Sequence, residues 1–271
     1  MQLGRGEKTD VALWEWPGVV SLEAPLVAAL WQRLLAQTLG VPLGWPQTLL
    51  LGAGVWLVYA ADRWLDARGA GSGSPFRHRF YRLHRLPVAA LWLAVLGASL
   101  GLALARLGAL ELSTGLALSA AALAYLLRRH GSRGQPFREL EVALLFAFGG
   151  GFFLLFAGAP LLPLLELLAP FSALCFVNVA LIGLWEGDER SVPLARRFPA
   201  LGRALPVGTF VLAAGLLLAA PFSPYRPVYL AAALSALLLG VLARTAPLKP
   251  TTQHALADAA LLTPLLFLGP A

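Results

Sequence analysis

Residues 86–105 read Leu86-Pro-Val-Ala-Ala-Leu-Trp-Leu-Ala-Val-Leu-Gly-Ala-Ser-Leu-Gly-Leu-Ala-Leu-Ala105, an uncharged run between Arg85 and Arg106. An α-helix rises about 1.5 Å per residue, so a run of this length spans roughly the 30 Å of hydrocarbon in a bilayer. Comparable runs lie on both sides of it. The sequence predicts helices over 21–40, 43–62, 86–105, 109–127, 140–159, 163–185, 202–220, 225–243 and 254–269. Pro42, Pro160, Pro163, Pro221 and Pro224 fall near the proposed turns, where a residue that breaks the helical ladder belongs. The first and last segments carry the polar exceptions, Glu23, Gln32 and Arg33 in one and Asp258 in the other, which suits a tilted or partly interfacial helix. The expectation is an all-α polytopic membrane bundle of about nine transmembrane helices. Residues 21–271 form a single domain behind a cytoplasmic or interfacial segment, 1–20.

Composition agrees. Of 271 residues, 58% are hydrophobic and 13% charged, against about 25% charged in soluble domains. A soluble fold of this length still exposes much surface to water, and lipid around the molecule removes that conflict. The first twenty residues carry Arg5, Glu7, Lys8, Asp10 and Glu15 with no long apolar run, unlike an export signal. Trp14, Trp16 and Pro17 suggest either an interfacial segment or tryptophans that pack locally. Cys175 is the single cysteine, so neither an intrachain disulfide nor a cysteine metal cluster can form.

The net charge of +7 is distributed in a way that argues against nucleic acid. With the amino terminus inside, the inner connections hold Arg63, Arg68, Arg77, Arg79, Arg82 and Arg85, then Arg128, Arg129, Arg133 and Arg138, then Arg190, Arg196, Arg197 and Arg203, and finally Arg244 and Lys249. The outer connections hold Arg106 and Arg226. Basic residues on alternate loops mark the cytoplasmic side. The sequence therefore predicts an integral protein of a bacterial inner membrane, amino terminus cytoplasmic and carboxyl terminus outside after nine crossings. Between 63 and 85, Gly69, Gly71 and Gly73 precede a basic aromatic run from Phe76 to Arg85. That run suits an amphipathic helix on anionic headgroups, or a cover of Arg77, Arg79 and Arg82 over a phosphate-bearing substrate.

The sharpest polar feature is Asp62-Arg-Trp-Leu-Asp66 at the inner end of the second segment. Positions four apart share a helical face, so both carboxylates can meet one cation or its waters. Magnesium takes carboxylate and phosphate oxygens while retaining water. The other reading is a pair of acids facing a cytoplasmic loop. Glu186-Gly-Asp188-Glu189 follows the sixth segment on the same side, and Asn178 within that segment needs a hydrogen-bond partner or a polar cavity. The fourth segment ends in Tyr125-Leu-Leu-Arg128-Arg129, whose guanidiniums suit paired phosphate oxygens and also suit membrane orientation alone. His254 and Asp258, four apart, are placed for contact within one helix. Gly149-Gly150-Gly151 allow close helix packing, or leave room for a lipid chain.

On these acidic helix ends the chain resembles the UbiA superfamily of intramembrane aromatic prenyltransferases. Asp62 and Asp66 match the two aspartates of the family's first motif, with Val58 where its asparagine stands. Tyr125, Arg128 and Arg129 resemble the family's tyrosine-and-basic segment. Asp188 stands at the later aspartate of the second motif, with Leu184 at the earlier one and Glu186 as a substitute charge. The resemblance implies nine helices around a cavity open to the bilayer. It implies magnesium on Asp62, Asp66, Asp188 and Glu186, with Arg128, Arg129, Tyr125 and Asn178 contacting an isoprenoid diphosphate. The prenyl group would pass to an aromatic or other lipid-phase acceptor. A non-enzymatic lipid-phosphate binding or transport protein on the same fold is the alternative.

Overall fold

The structure is a computed structural model that describes residues 12–68, 76–131, 137–186, 197–245 and 248–269. Every regular element among them is helical. A 3-10 turn, Leu13–Glu15, leads into the short α1, Trp16–Val19, and then α2, Glu23–Leu39. The chain bends by 86° between the Leu13–Val19 segment and α2. Ser21 sits at that bend with φ of 61°, and its hydroxyl lies 3.0 Å from the Tyr81 hydroxyl. This tether holds a backbone conformation that side chains other than glycine rarely adopt.

There follow α3, Trp45–Ala67, α4, Phe76–Leu83, α5, Arg85–Arg106, and α6, Ala109–Gly131. The second half has α7, Arg138–Phe156, α8, Leu161–Glu186, α9, Pro199–Ala219, α10, Arg226–Arg244, and α11, Pro250–Ala259. Among the described residues, six helices are long and apolar enough to cross a membrane: α5 to α10. The bent pair at the amino end makes a seventh if counted as one span. The chain is an all-helical membrane protein. Along α5 the side chains Leu86, Leu91, Leu93, Leu96, Leu100 and Leu104 are all exposed, a surface that lipid accommodates and water does not. The segments that fall outside these six, α2, α3 and the carboxyl-terminal one, carry buried or part-buried polar residues such as Gln32, Asp62 and Gln253.

The core is built by α2, α7, α8, α9, α10 and α11, with Trp31, Leu34, Phe171, Leu174, Leu181 and Leu239 almost fully buried. Trp31 stacks on Phe171 with ring centres 4.8 Å apart. The three consecutive glycines serve packing. A Cβ on Gly151 would fall 2.6 Å from Leu168 Cδ1, and one on Gly150 would fall 3.4 Å from Phe171, so α7 approaches α8 closely. In the second half of α2, Arg33 donates to the Leu43 carbonyl at 2.8 Å and lies over the Trp45 ring, which satisfies its charge locally.

The last segment departs from the expected helix over 254–269. The α-helix α11 ends at Ala259, and a 3-10 turn, Thr263–Leu266, follows. Pro264 lies within that turn; as a residue without an N–H it cannot extend the α-helical ladder. The Leu261 carbonyl accepts a hydrogen bond from Trp31 Nε1 at 2.9 Å, and the Thr263 hydroxyl donates to the Ala231 carbonyl at 2.8 Å. The break is thus stapled to α2 and α10.

The basic aromatic run forms α4, as an amphipathic helix would. Trp16 packs edge-on against Phe76 and Phe80, with ring centres 6.2 and 5.9 Å away. Of the two readings of the amino-terminal tryptophans, local packing describes Trp16, while half of Trp14 is exposed. Burial raises the Tyr81 phenol above its ordinary range, and the contact with Ser21 opposes this.

Candidate functional site

The carboxyl-terminal end of α3 brings Asp62 and Asp66 onto one face, one turn apart, as the spacing requires. The carboxyl-terminal end of α6 packs against that face and supplies their partners. Arg129 donates from Nη1 to Asp62 Oδ2 and from Nη2 to Asp66 Oδ2, the latter at 3.1 Å. His130 Nε2 lies 3.0 Å from Asp62 Oδ1, and His130 Nδ1 lies 3.9 Å from Asp66 Oδ1. Tyr125, one turn before Arg129 on α6, is buried and its hydroxyl lies close to the Arg129 side chain. Two carboxylates in a low-dielectric setting repel one another, and the forked guanidinium offsets that repulsion by engaging both. Asp62, Asp66, Arg129 and Tyr125, four of the residues singled out in the sequence, therefore form one cluster.

Arg128 does not join it. Its Nη2 lies 3.1 Å from Glu141 Oε2 on α7, in an exposed pair. Neighbouring residues on a helix point about 100° apart, so only one of the two arginines can face α3. Arg77, on α4, is buried and borders a cavity with Glu15, Glu23 and His254. Arg79 is half-buried and Arg82 exposed on the same helix. Asp188 and the Glu186 side chain lie outside the described residues.

A second polar cluster joins α2, α8 and α11. Asn178 Nδ2, on α8, donates to Asp258 Oδ1 on α11 at 2.9 Å. His254 Nδ1 lies 3.2 Å from Asp258 Oδ2 and 4.0 Å from Glu23 Oε2. The helical contact between His254 and Asp258 and the need of Asn178 for a partner are both legible in the sequence. The participation of Glu23 is not, because it comes from the first long helix. Tyr59 and Asn178 share a cavity lining with Asp258, and Tyr59 stands one turn before Arg63 on α3. Arg63, next to Asp62 on α3, is close enough to act electrostatically on Glu23, Asp62 and Asp66.

No family model, curated protein or solved structure matches the chain. Function therefore rests on the geometry of these clusters. His130 was the residue of the first one that sequence reasoning missed; its only signal is its position beside Arg129 at a helix end.

The oxygen donors of Asp62 and Asp66 fit magnesium by type, since that ion binds one or two protein carboxylates and completes its shell with water and phosphate oxygens. Arg129, which engages both carboxylates, is a cation in the place such an ion would take.

Proposed function

We propose that the chain is an intramembrane prenyltransferase of UbiA-like architecture, with nine crossings, a cytoplasmic amino terminus and its reaction centre at the inner ends of α3 and α6. The observation that carries this reading is the convergence of Asp62, Asp66, Arg129 and Tyr125 on one another from two separate helices. An acidic pair and an arginine side by side bring together the side-chain types that a metal and a diphosphate need. Magnesium at Asp62 and Asp66 would supply charge neutralisation for a leaving diphosphate. Arg129, released from the carboxylates, would turn its paired donors to the phosphate oxygens, and Tyr125 would orient it. Stabilising charge on the leaving group in a site shielded from water is where such a centre gains most of its rate. The allylic carbon–oxygen bond breaks, the electron pair leaves with diphosphate, and the acceptor's electrons form the new carbon bond with loss of a proton from the acceptor.

A binding or transport role without chemistry is favoured by one specific feature. Arg129 and His130 already satisfy both carboxylates, so the cluster is stable without a metal. The deciding experiment is magnesium-dependent binding of geranylgeranyl diphosphate to the chain in lipid discs, compared with Asp62→Asn. Saturable binding in the wild type, lost on substitution and followed by diphosphate release with an acceptor, is the expected result. Binding without release indicates the carrier role. Failure of this donor and of shorter ones to bind removes the proposal.

A further inference from the structure

We propose that Glu23, His254, Asp258 and Asn178 form a site for a divalent transition-metal ion, with zinc as its simplest occupant, separate from the Asp62–Asp66 pair. Three helices that are far apart in sequence deliver the donors: the start of α2, the inner half of α8, and α11. One ligand atom from each of Glu23, His254 and Asp258 lies within 4.8 Å of the other two. Ligands around one zinc ion stand about 2 Å from it, so donor atoms at such separations need only a small inward adjustment. Imidazole and carboxylate together suit zinc better than magnesium, which prefers an all-oxygen shell.

The second, independent observation is the Asn178 amide. Only 6% of this residue is exposed. Its Nδ2 donates to Asp258, and because a carboxylate oxygen accepts, that bond fixes which end of the amide faces the acid. The other end, Oδ1, is buried with no hydrogen-bond partner among the described residues, and the side chain lines the same cavity as Asp258. A buried carbonyl without a donor is costly, and a cation beside it supplies the missing partner.

Charge and position point the same way. The Glu23 and Asp258 side chains lie beside one another, with Arg63 and Arg77 close to Glu23. A metal ion would balance both carboxylates at once. Glu23 and His254 border one cavity, next to Glu15, while Asn178 and Asp258 border another. The cluster therefore stands between two small cavities. Bound metal would clasp α11, the shortest helix of the second half, to α2 and α8.

The test uses the full, untagged chain in lipid discs, stripped with chelator and titrated with zinc chloride alone by calorimetry. The expected result is one zinc per chain, bound more tightly than magnesium. Binding should weaken by about tenfold or more in His254→Gln and Asp258→Asn and persist in Asp62→Asn. Zinc should also raise the unfolding temperature of the wild type and not of the first two variants. X-ray absorption of the zinc-loaded wild type should read one imidazole among oxygen ligands, which keeps the proposal testable if a variant fails to fold. Absence of zinc binding in the folded wild type, undiminished affinity in both variants, or a shell of several imidazoles would overturn it. Because zinc alone is the probe, the outcome is independent of whether an isoprenoid diphosphate binds at Asp62 and Asp66.

Discussion

Arg129 Nη2 lies 3.1 Å from Asp66 Oδ2 while Nη1 of the same guanidinium engages Asp62, so a single side chain of α6 neutralises two carboxylates one turn apart on α3. All three side chains are largely buried. Removing one partner of such a pair leaves the remaining charge uncompensated, which costs about 3 kcal/mol. Arg129→Gln should therefore lower stability by about that amount, read as thermal unfolding in lipid discs. If magnesium has a site on the two aspartates, millimolar magnesium should return much of the loss in this variant and change the wild type less. Identical unfolding of the variant with and without magnesium would count against the metal reading.

Trp31 gives a test of the carboxyl-terminal staple. Its indole donates to the Leu261 carbonyl at 2.9 Å from the centre of the core. Trp31→Phe retains a ring against Phe171 and strands that carbonyl in an apolar setting, at a cost of about 1–3 kcal/mol. Trp31→Ala removes the ring as well and should cost about 3–5 kcal/mol. An unchanged stability of Trp31→Phe, measured by denaturant unfolding, would show that the hydrogen bond contributes nothing.

Much of this architecture is legible in the sequence because arginines punctuate the apolar runs. The expected 86–105 and 225–243 differ from α5 and α10 by a residue at an end or two. Asp62 and Asp66 share a face because helical periodicity leaves no alternative. The limits appear where contacts are distant. The end of α11 depends on Pro264 together with Trp31, which is 230 positions from the carbonyl it binds. Glu23 reads locally as a polar exception in a marginal segment, and only the folded chain sets it against His254. Arg128 and Arg129 look equivalent in the sequence, and the rotation of α6 gives α3 to one and Glu141 to the other.

The glycine approach between α7 and α8 predicts a steric cost. At Gly151 a Cβ already collides with Leu168 Cδ1, and Leu168 is itself buried. Gly151→Leu should destabilise the chain by about 1–3 kcal/mol through overpacking, despite leucine's better helix propensity. The check is the unfolding temperature in discs, where an unchanged value would mean that the two helices separate freely at this point.

Orientation is the last expectation open to direct test, and the single cysteine makes it simple. Cys175 is buried, so a Cys175→Ser background is free of native thiols. Phe222, between α9 and α10, and Phe137, just before α7, are both well exposed, and they lie at opposite ends of the bundle in the arrangement the arginines imply. Phe222→Cys should react with a membrane-impermeant thiol reagent in intact cells. Phe137→Cys should react only after the membrane is opened, because the basic ends of α6 and α7 belong on the cytoplasmic side. The opposite pattern would invert the topology and move the Asp62–Arg129 cluster to the outer face, where a cytoplasmic diphosphate donor could not reach it. Labelling of both in intact cells would instead mean an even number of crossings between positions 137 and 222, which requires that one of α7, α8 and α9 does not span. Since all three are long and apolar enough to cross, the odd count of three places the two positions on opposite sides, and the label on Phe222 alone is the outcome the helices require.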